Sequence, residues 1–174
     1  DVSRNCSHEW VRHKFSTAIS QRSTRYVDES ESEWAWNPLI QEYWQELEEY
    51  LLLEYNDTLS INRDVSRAMY IGVAKFIEEK LISKGVDKFT ARKQSRGAAR
   101  GPLGTCLSTE YIWSCSLEGI LNVVLQRANN GADSEIRLLA TQLFELMRVD
   151  LESTYGQFKI TPAPDGIAYQ VELA

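Results

Sequence analysis

Arg12-His13-Lys14, five further residues and then Ser20-Gln21-Arg22-Ser23-Thr24-Arg25-Tyr26 form the most informative stretch of the sequence. Basic side chains and a histidine precede a short polar run that ends in Ser-x-Arg-Tyr. The planar guanidinium group of arginine binds phosphate oxygens through two parallel hydrogen bonds. The stretch therefore predicts a site for a phosphate and a flat polar ring.

The composition is that of an ordinary soluble globular protein, with 43% hydrophobic and 25% charged residues. The 174 residues predict a single domain, 1–174, that is long enough to bury a core. A formal net charge of -6 and a pI near 5.0 argue against broad nucleic-acid binding, but not against a small phosphorylated ligand. No apolar run approaches the roughly 20 residues of a membrane span. With no signal-peptide pattern at the N-terminus, the prediction is a cytoplasmic protein without a membrane partner.

The three cysteines, Cys6, Cys106 and Cys115, are odd in number and contain no closely spaced pair. This spacing argues against a zinc site and against a disulfide framework, so no metal is expected. We interpret the cysteines as reduced residues that mostly pack, with a catalytic thiol as the alternative.

The hydrophobic spacing predicts an α+β fold that is mostly helical, with a small mixed or antiparallel sheet. Residues 1–14 are typical of the end of a helix, and residues 23–27 and 103–115 of extended chain. Further helices are expected at about 38–55, 63–83, 88–99, after 116 and from 133 to about 151. Three residues are suitable helix N-caps, namely Asp87, Ser116 and Asp133.

Other segments have plain structural interpretations. The acidic run 28–33 is typical of a solvated surface turn, and the tail with Pro162 and Pro164 of a loosely attached segment. The spacing after position 116 predicts a buried stripe of Leu117, Ile120, Leu121, Val124 and Leu125. The aromatic residues near position 40 are expected in the core or at a subunit interface, and these are Trp34, Trp36, Tyr43 and Trp44.

The opening stretch resembles the signature of the flavin-dependent thymidylate synthases, the ThyX family. There the pattern is Arg-His-Arg, two residues, Ser, one residue, Asn-Glu, one residue, Ser, one residue, Arg-Tyr. Here Lys14 replaces the third basic residue, Ser20-Gln21 replace Asn-Glu, and the segment is one residue longer. Upstream, Glu9-Trp10-Val11-Arg12-His13 is similar to the family's Gln-Trp-Phe-Arg-His.

A second block, from 100 to 136, carries the same resemblance. Ala99-Arg100 leads through an extended segment ending at Trp113 to a helix with Asn122 and then to the run 126–136, Gln-Arg-Ala-Asn-Asn-Gly-Ala-Asp-Ser-Glu-Ile. The family has Leu-Arg-x-Asp-x-x-Ala-Gln-x-Glu-Ile in that place. Family members also carry a region ahead of the first block, so we expect a single ThyX-like catalytic domain that lacks this region.

The resemblance implies roles for individual residues. Arg127 corresponds to the arginine that ionises the pyrimidine, and is the implied catalytic residue. The implied substrate-binding residues are Glu9, Arg12, Gln21, Arg22, Ser23, Thr24, Arg25, Arg100 and Arg127. The implied flavin-binding residues are Arg12, His13, Lys14, Gln21, Ser116, Glu118 and Asn122.

Some of these positions depart from the family pattern. Glu118 stands where the family has a basic residue, and its carboxylate would repel the phosphates of a dinucleotide. Glu9 replaces a glutamine that contacts the nucleotide, and Gln21 replaces a glutamate. Because a carboxylate accepts a hydrogen bond from the amino group of cytosine, the exchange raises the hypothesis of a cytosine nucleotide; the alternative is drift at a tolerant position.

The implied reaction is reductive methylation of a deoxynucleoside monophosphate, dUMP to dTMP. Methylenetetrahydrofolate would supply the one-carbon unit, FAD would act as the flavin and NADPH would reduce it. The resemblance also implies a homotetramer with sites shared between subunits. Two alternatives stay open: a dCMP methylase or pyrimidine hydroxymethylase for modified viral DNA, and a non-catalytic nucleotide-binding homologue.

Overall fold

The computed structural model describes residues 2–174, which form seven helices and six strands in that range. Contacts divide the chain into two compact units. Among the described residues, unit 1 contains 2–4, 21–36 and 43–110, and unit 2 contains 5–20, 37–42 and 111–174. The elements in chain order are β1 (Val2–Ser3), α1 (Arg4–Trp10), β2 (Thr17–Gln21), α2 (Pro38–Glu42), α3 (Trp44–Tyr55), α4 (Leu59–Ser83), α5 (Lys88–Ala99), β3 (Ser108–Thr109), β4 (Tyr111–Cys115), α6 (Leu117–Arg127), α7 (Ser134–Tyr155), β5 (Phe158–Pro162) and β6 (Tyr169–Leu173).

Unit 1 is built on the packing of α4 against α5. Thr58 caps α4 by accepting from the Ile61 amide, and Asp87 caps α5 by accepting from the Thr90 amide. Between these helices Gly85 adopts a φ of +85°, a left-handed conformation that glycine adopts without a steric penalty. Unit 1 also contains a two-stranded sheet in which β1 pairs antiparallel with β3.

The helices α3 and α4 leave most of their apolar side chains in solvent. No residue of α3 is buried, and Tyr70 is the buried residue of α4 among those described. Trp36 contacts Trp34 and Trp44 with ring centroids 5.4 Å apart in both pairs, and these indoles are half-buried. The exposed apolar residues of the two helices include Leu52, Leu53, Ile61, Val65, Met69, Val73 and Phe76.

Unit 2 contains the larger buried core. The core side chains come from α6, α7 and the antiparallel hairpin of β5 and β6, and are Val123, Val124, Ile136, Ala140, Phe144, Leu151, Phe158 and Val171. Phe144 and Phe158 meet edge to face, with ring centroids 5.2 Å apart. A second small sheet of this fold pairs β2 with β4.

The predicted fold class is confirmed, since the described elements are mostly helical with small two-stranded sheets. The three predicted N-caps are confirmed, because each side chain accepts a hydrogen bond from an amide in the first turn. No described helix has the length and apolar character needed to cross a membrane.

Several predicted boundaries are wrong. Residues 2–3 form a strand, α1 ends at Trp10, and residues 24–26 form a turn because the Tyr26 amide bonds to the Ser23 carbonyl at 3.1 Å. The tail is not loosely attached. It forms the β5–β6 hairpin, and the amide of the buried Val171 donates to the Ala128 carbonyl at 2.8 Å.

The buried face of α6 also differs from the predicted stripe. Gly119, Val123 and Val124 are buried, whereas Leu117, Ile120, Leu121 and Leu125 are half-buried. Gly119 lies at a close approach, since a Cβ there would lie 3.2 Å from the Phe15 carbonyl oxygen.

Candidate functional site

Arg127 ends α6, and its side chain contacts His13, which follows α1 in the same unit. Its Nε donates to Nε2 of His13 at 2.8 Å, and its Nη1 lies 3.5 Å from Oε2 of Glu9. Among the residues described, its Nη2 makes no hydrogen bond or ion pair. Protein groups thus hold Nε and Nη1 of this guanidinium, and Nη2 can donate to a ligand.

His13 is fixed by the turn that follows α1. Its amide donates to the Trp10 carbonyl at 3.1 Å, and its own carbonyl accepts from the Thr17 hydroxyl at 2.8 Å. The residue is 7% exposed. Burial, together with the neighbouring Arg127 charge, lowers the pKa of His13. The imidazole is therefore neutral. Its Nε2 accepts the hydrogen bond from Arg127, and its ring proton lies on Nδ1.

Glu9 and Arg127 form a half-open ion pair. Their side chains are 32% and 25% exposed, so solvent and ligands reach both groups. A carboxylate accepts hydrogen bonds and a guanidinium only donates them. Together they present complementary partners for the polar edge of a heterocycle.

Two tryptophans border this cluster, and their place there was not predicted from the sequence. The rings of Trp10 and Trp113 meet edge to face with centroids 5.3 Å apart, and Trp10 also lies against His13 at 6.4 Å. Both indole N–H groups are buried without an acceptor among the described residues. Both residues belong to the two blocks that carry the family resemblance, but their spacing in the sequence gives no indication that their rings meet.

The remaining predicted flavin residues of unit 2 lie along the start of α6 and the turn before β2. Ser116 caps α6 by accepting from the Gly119 amide at 3.2 Å, and Asn122 accepts from Gln126 at 2.8 Å. Arg12, Lys14 and Glu118 are exposed, so two cations and one carboxylate point to solvent.

The other predicted nucleotide residues lie in unit 1. Gln21 donates to the Thr109 hydroxyl at 3.2 Å, and the Ser23 hydroxyl accepts from the Arg25 amide at 3.4 Å. Thr24 is buried at 7% exposure. The two further arginines, Arg25 and Arg100, are exposed, as a phosphate contact requires.

Arg22 is occupied by protein groups. Its Nη2 lies 3.3 Å from Oε2 of Glu29 and 3.1 Å from the Ser108 carbonyl oxygen. The side chain of Glu29 is fully buried. The prediction of a solvated turn at 28–33 is therefore wrong at Glu29, because this carboxylate is paired inside the unit instead of being hydrated.

The cysteines do not form part of the cluster described above. None of the three forms a disulfide bond. Burial is the main cause that raises the pKa of Cys6 well above the usual range of a thiol. A buried thiol that stays protonated is a poor nucleophile. Within residues 2–174, no group of three or more His, Cys, Asp or Glu side chains is arranged to hold a metal ion.

Comparison with known proteins identifies the family. Residues 1–150 match the family described as thymidylate synthase complementing protein, Thy1. The chain belongs to the Thy1 family. This confirms the resemblance on which the site residues were chosen.

Curated relatives carry a more specific name. The chain is 32% identical over 165 residues to the flavin-dependent thymidylate synthase of Mycolicibacterium gilvum, and 30% identical over 165 residues to that of Mycobacterium marinum. A similar protein of Mycobacterium tuberculosis with the same name is 27% identical over 165 residues. Each alignment covers 95% of this chain, and the chain spans 62% of the length of these relatives.

Proposed function

We propose that this Thy1-family chain acts in the flavin-dependent methylation of dUMP to dTMP. Methylenetetrahydrofolate would be the one-carbon donor and NADPH the source of reducing equivalents. Membership of the family and the flavin-dependent thymidylate synthases among its relatives support this proposal. The observation that carries it is the hydrogen bond of 2.8 Å by which His13 fixes Arg127.

The role we assign to Arg127 follows from the chemistry of uracil. The ring is a poor carbon nucleophile until negative charge builds on its carbonyl and imide edge. A fixed guanidinium stabilises that charge without reorganising during the reaction, and it does not lose its proton. Arg127 would therefore bind and polarise the pyrimidine through the part of its fork that no described protein group occupies.

His13 and Glu9 would act on the same arginine. The neutral imidazole accepts from Nε and sets the plane of the guanidinium, and it adds no positive charge beside it. Glu9 reaches Nη1 and offers an acceptor to an N–H group on the base. Trp10 would supply an apolar wall that limits water at the reacting ring.

In an assembly whose sites are shared between subunits, the exposed guanidinium groups of Arg25 and Arg100 would bind the phosphate of a nucleotide held by a neighbouring subunit. Ser23, Thr24 and Gln21 would donate or accept hydrogen bonds along the sugar and the phosphate. The predicted substrate-binding residue Arg22 contacts Glu29 in this structure, and we assign it no contact with the nucleotide.

The predicted flavin residues in the turn before β2 and at the start of α6 fit a flavin in charge and donor type. Arg12 and Lys14 offer exposed cations to its phosphates, and Ser116 and Asn122 offer polar groups at the helix start. Glu118 opposes the phosphates but leaves the set with a net positive charge. A bound flavin would supply the redox chemistry of the reaction, and the chain's own residues would bind and orient the nucleotide.

A second candidate is methylation or hydroxymethylation of dCMP, which the carboxylate of Glu9 beside Arg127 also accommodates. Cytosine offers acceptors at O2 and N3 and a donor at its amino group, which complement a guanidinium beside a carboxylate. Uracil complements the same pair through its N3–H donor and its carbonyl oxygens, so the preference must be measured.

A homotetramer is the proposed assembly. The row of exposed apolar side chains on α3 and α4 supports it, because monomeric proteins rarely leave contiguous apolar surfaces in water. Sedimentation of the purified protein at several concentrations measures the state. A monomer at all concentrations would contradict the proposed assembly.

The test of function is a turnover assay on the purified protein with FAD, NADPH and methylenetetrahydrofolate. dUMP and dCMP are supplied in separate reactions, and the products are identified by mass. A methyl gain on dUMP supports the proposal, and a gain on dCMP alone supports the second candidate. Nucleotide binding without product, and without flavin absorption, would favour a non-catalytic homologue and overturn both.

A further inference from the structure

The segment 22–33 is held by a buried carboxylate that the assigned chemistry does not use. Glu29 is 1% exposed, and its Oε2 accepts from Arg22 at 3.3 Å and from the Ser32 hydroxyl at 2.5 Å. Its Oε1 lies 3.7 Å from Nη2 of Arg4. A charge buried this deeply persists only where opposite charges and hydrogen bonds compensate its lost hydration.

The arginine partner of Glu29 is tied to the strands of unit 1. Nη2 of Arg22 donates to the Ser108 carbonyl at 3.1 Å, and its backbone amide donates to the Glu110 carbonyl at 3.0 Å. Arg22 immediately precedes the turn that contains Ser23 and Arg25. The start of the turn is therefore fixed on both its main chain and its side chain.

The other end of the segment is fixed by the helices α4 and α5. The Glu29 amide donates to the hydroxyl of the buried Tyr70 at 3.3 Å, and Arg67 donates to the Ser32 carbonyl at 2.9 Å. Arg96 donates to the Tyr26 carbonyl at 2.9 Å. Glu29 thus links the end of the segment back to its start, with the turn enclosed between the two.

We propose that Glu29 is a positioning residue, which acts through Arg22 to hold the Ser23–Tyr26 turn in the conformation that binds the nucleotide. The proposal rests on the proposed function, which assigns Ser23, Thr24 and Arg25 to the nucleotide. A buried ion pair adds little to stability compared with apolar packing, and its best-attested use is to specify one arrangement of the chain. With Glu29 neutralised, Arg22 loses its ionic partner, and the side-chain link between the start and the end of the segment is weakened.

The test compares Glu29→Gln with Glu31→Gln, which removes the same charge from an exposed position of the same segment. Hydrogen exchange of the peptide covering 22–28 is measured first, without ligand. Affinity for dUMP and for dCMP is then measured by titration, together with kcat and KM. We expect Glu29→Gln to speed exchange in this peptide and to raise the nucleotide KM about tenfold, with kcat at saturation nearly unchanged.

The outcomes separate the role of Glu29 from the proposed function. If Glu29→Gln exchanges hydrogen at the wild-type rate in this peptide, or if Glu31→Gln speeds exchange equally, the role of Glu29 in holding the turn is overturned. Faster exchange with unchanged nucleotide affinity would overturn the binding role of the turn. Failure of the wild-type protein to bind either nucleotide would overturn the proposed function, while the exchange data would still decide whether Glu29 holds the turn.

A milder variant protects the test against unfolding. Ser32→Ala removes a hydroxyl that donates to Glu29 and lies 3.4 Å from Nη2 of Arg22, but leaves every charge in place. It is expected to change exchange and KM in the same direction as Glu29→Gln, by a smaller factor. No change in either measurement for a folded Ser32→Ala, combined with global unfolding of Glu29→Gln, would mark Glu29 as structural only and overturn the proposal.

Discussion

Two arginine–carboxylate pairs, one in each unit, differ in the exposure of their carboxylates. The side chains of Arg127 and Arg22 are both 25% exposed, but their partners Glu9 and Glu29 are 32% and 0% exposed. The partly exposed carboxylate of Glu9 is accessible to a ligand, whereas the buried carboxylate of Glu29 contacts protein groups. The exposure of the carboxylate, rather than of the arginine, thus distinguishes a pair suited to ligand binding from a pair suited to fixing the backbone conformation.

The physical reason lies in hydration. A half-exposed pair is screened by water and contributes little to stability, so either member is free to exchange its partner for a ligand. A buried carboxylate that loses a cation loses part of the interactions that compensate its missing hydration, which lowers stability. Substitutions in the two pairs should therefore have opposite consequences for stability and for activity.

The largest effect is expected from Arg22→Met. It leaves Glu29 buried with Arg4 at 3.7 Å as its nearest cation, and breaking a buried pair in this way costs about 3–5 kcal/mol of unfolding free energy. Urea denaturation measures the change. The control is Arg148→Met, which breaks an exposed pair with Glu152 on α7 and should cost no more than about 0.5 kcal/mol. Equal losses in the two variants would break the comparison.

Arg127→Gln should lower activity strongly and stability only slightly. Loss of a fixed donor at the developing charge of a transition state lowers kcat by about a hundredfold or more. The unfolding free energy should change by less than about 1 kcal/mol, since the abandoned Glu9 is hydrated. Steady-state turnover of dUMP and urea denaturation measure the two quantities, with Arg148→Gln as the control. Full activity in Arg127→Gln would remove this residue from the mechanism.

The sequence predicted what depends on neighbouring residues. Asp87 and Ser116 were identified as caps because a cap is set by three or four adjacent residues. The burial of Glu29 was missed because an acidic run is usually solvated and its partner Arg4 is distant in sequence. The β5–β6 hairpin was missed because Pro162 and Pro164 suggested an irregular tail.

The site was predicted less completely than the helices. The contact of Arg127 with His13 joins positions 114 residues apart, and no periodicity or spacing rule links them. Both residues were selected through the family resemblance alone. Trp10 and Trp113 stand in the two blocks that carry the resemblance, but only the tertiary structure reveals that their rings are in contact.

Glu9→Gln tests whether the partly exposed carboxylate selects the base of the nucleotide. If the carboxylate accepts from the amino group of cytosine, its loss should lower the dCMP-to-dUMP ratio of kcat/KM by about tenfold, since a single such contact is worth about 1–3 kcal/mol. The ratio is measured with both nucleotides in competition. An unchanged ratio would exclude Glu9 as the residue that selects the base.

A smaller effect is expected from pH. The pKa of His13 is lowered, chiefly by burial and then by Arg127, from its ordinary value of 6.5. The unfolded chain therefore binds a proton at a pH where the folded protein does not. The stabilising contribution is present above about pH 6.5 and is lost as the pH falls through the lower folded pKa. Thermal unfolding of the wild type and of His13→Gln between pH 5 and pH 8 should show this acid loss in the wild type alone, and the same loss in both would assign it to other groups.

The central claim is that a pyrimidine nucleotide binds at the cluster of Glu9, His13 and Arg127. The chain has two histidines, His8 and His13, so their imidazole nitrogens can be assigned by NMR from one substitution. His8 is exposed and serves as an internal control. Titration with dUMP, and separately with dCMP, should shift the His13 Nε2 resonance in a saturable manner and leave His8 unchanged. A silent His13 at saturating concentrations of both nucleotides would contradict the claim.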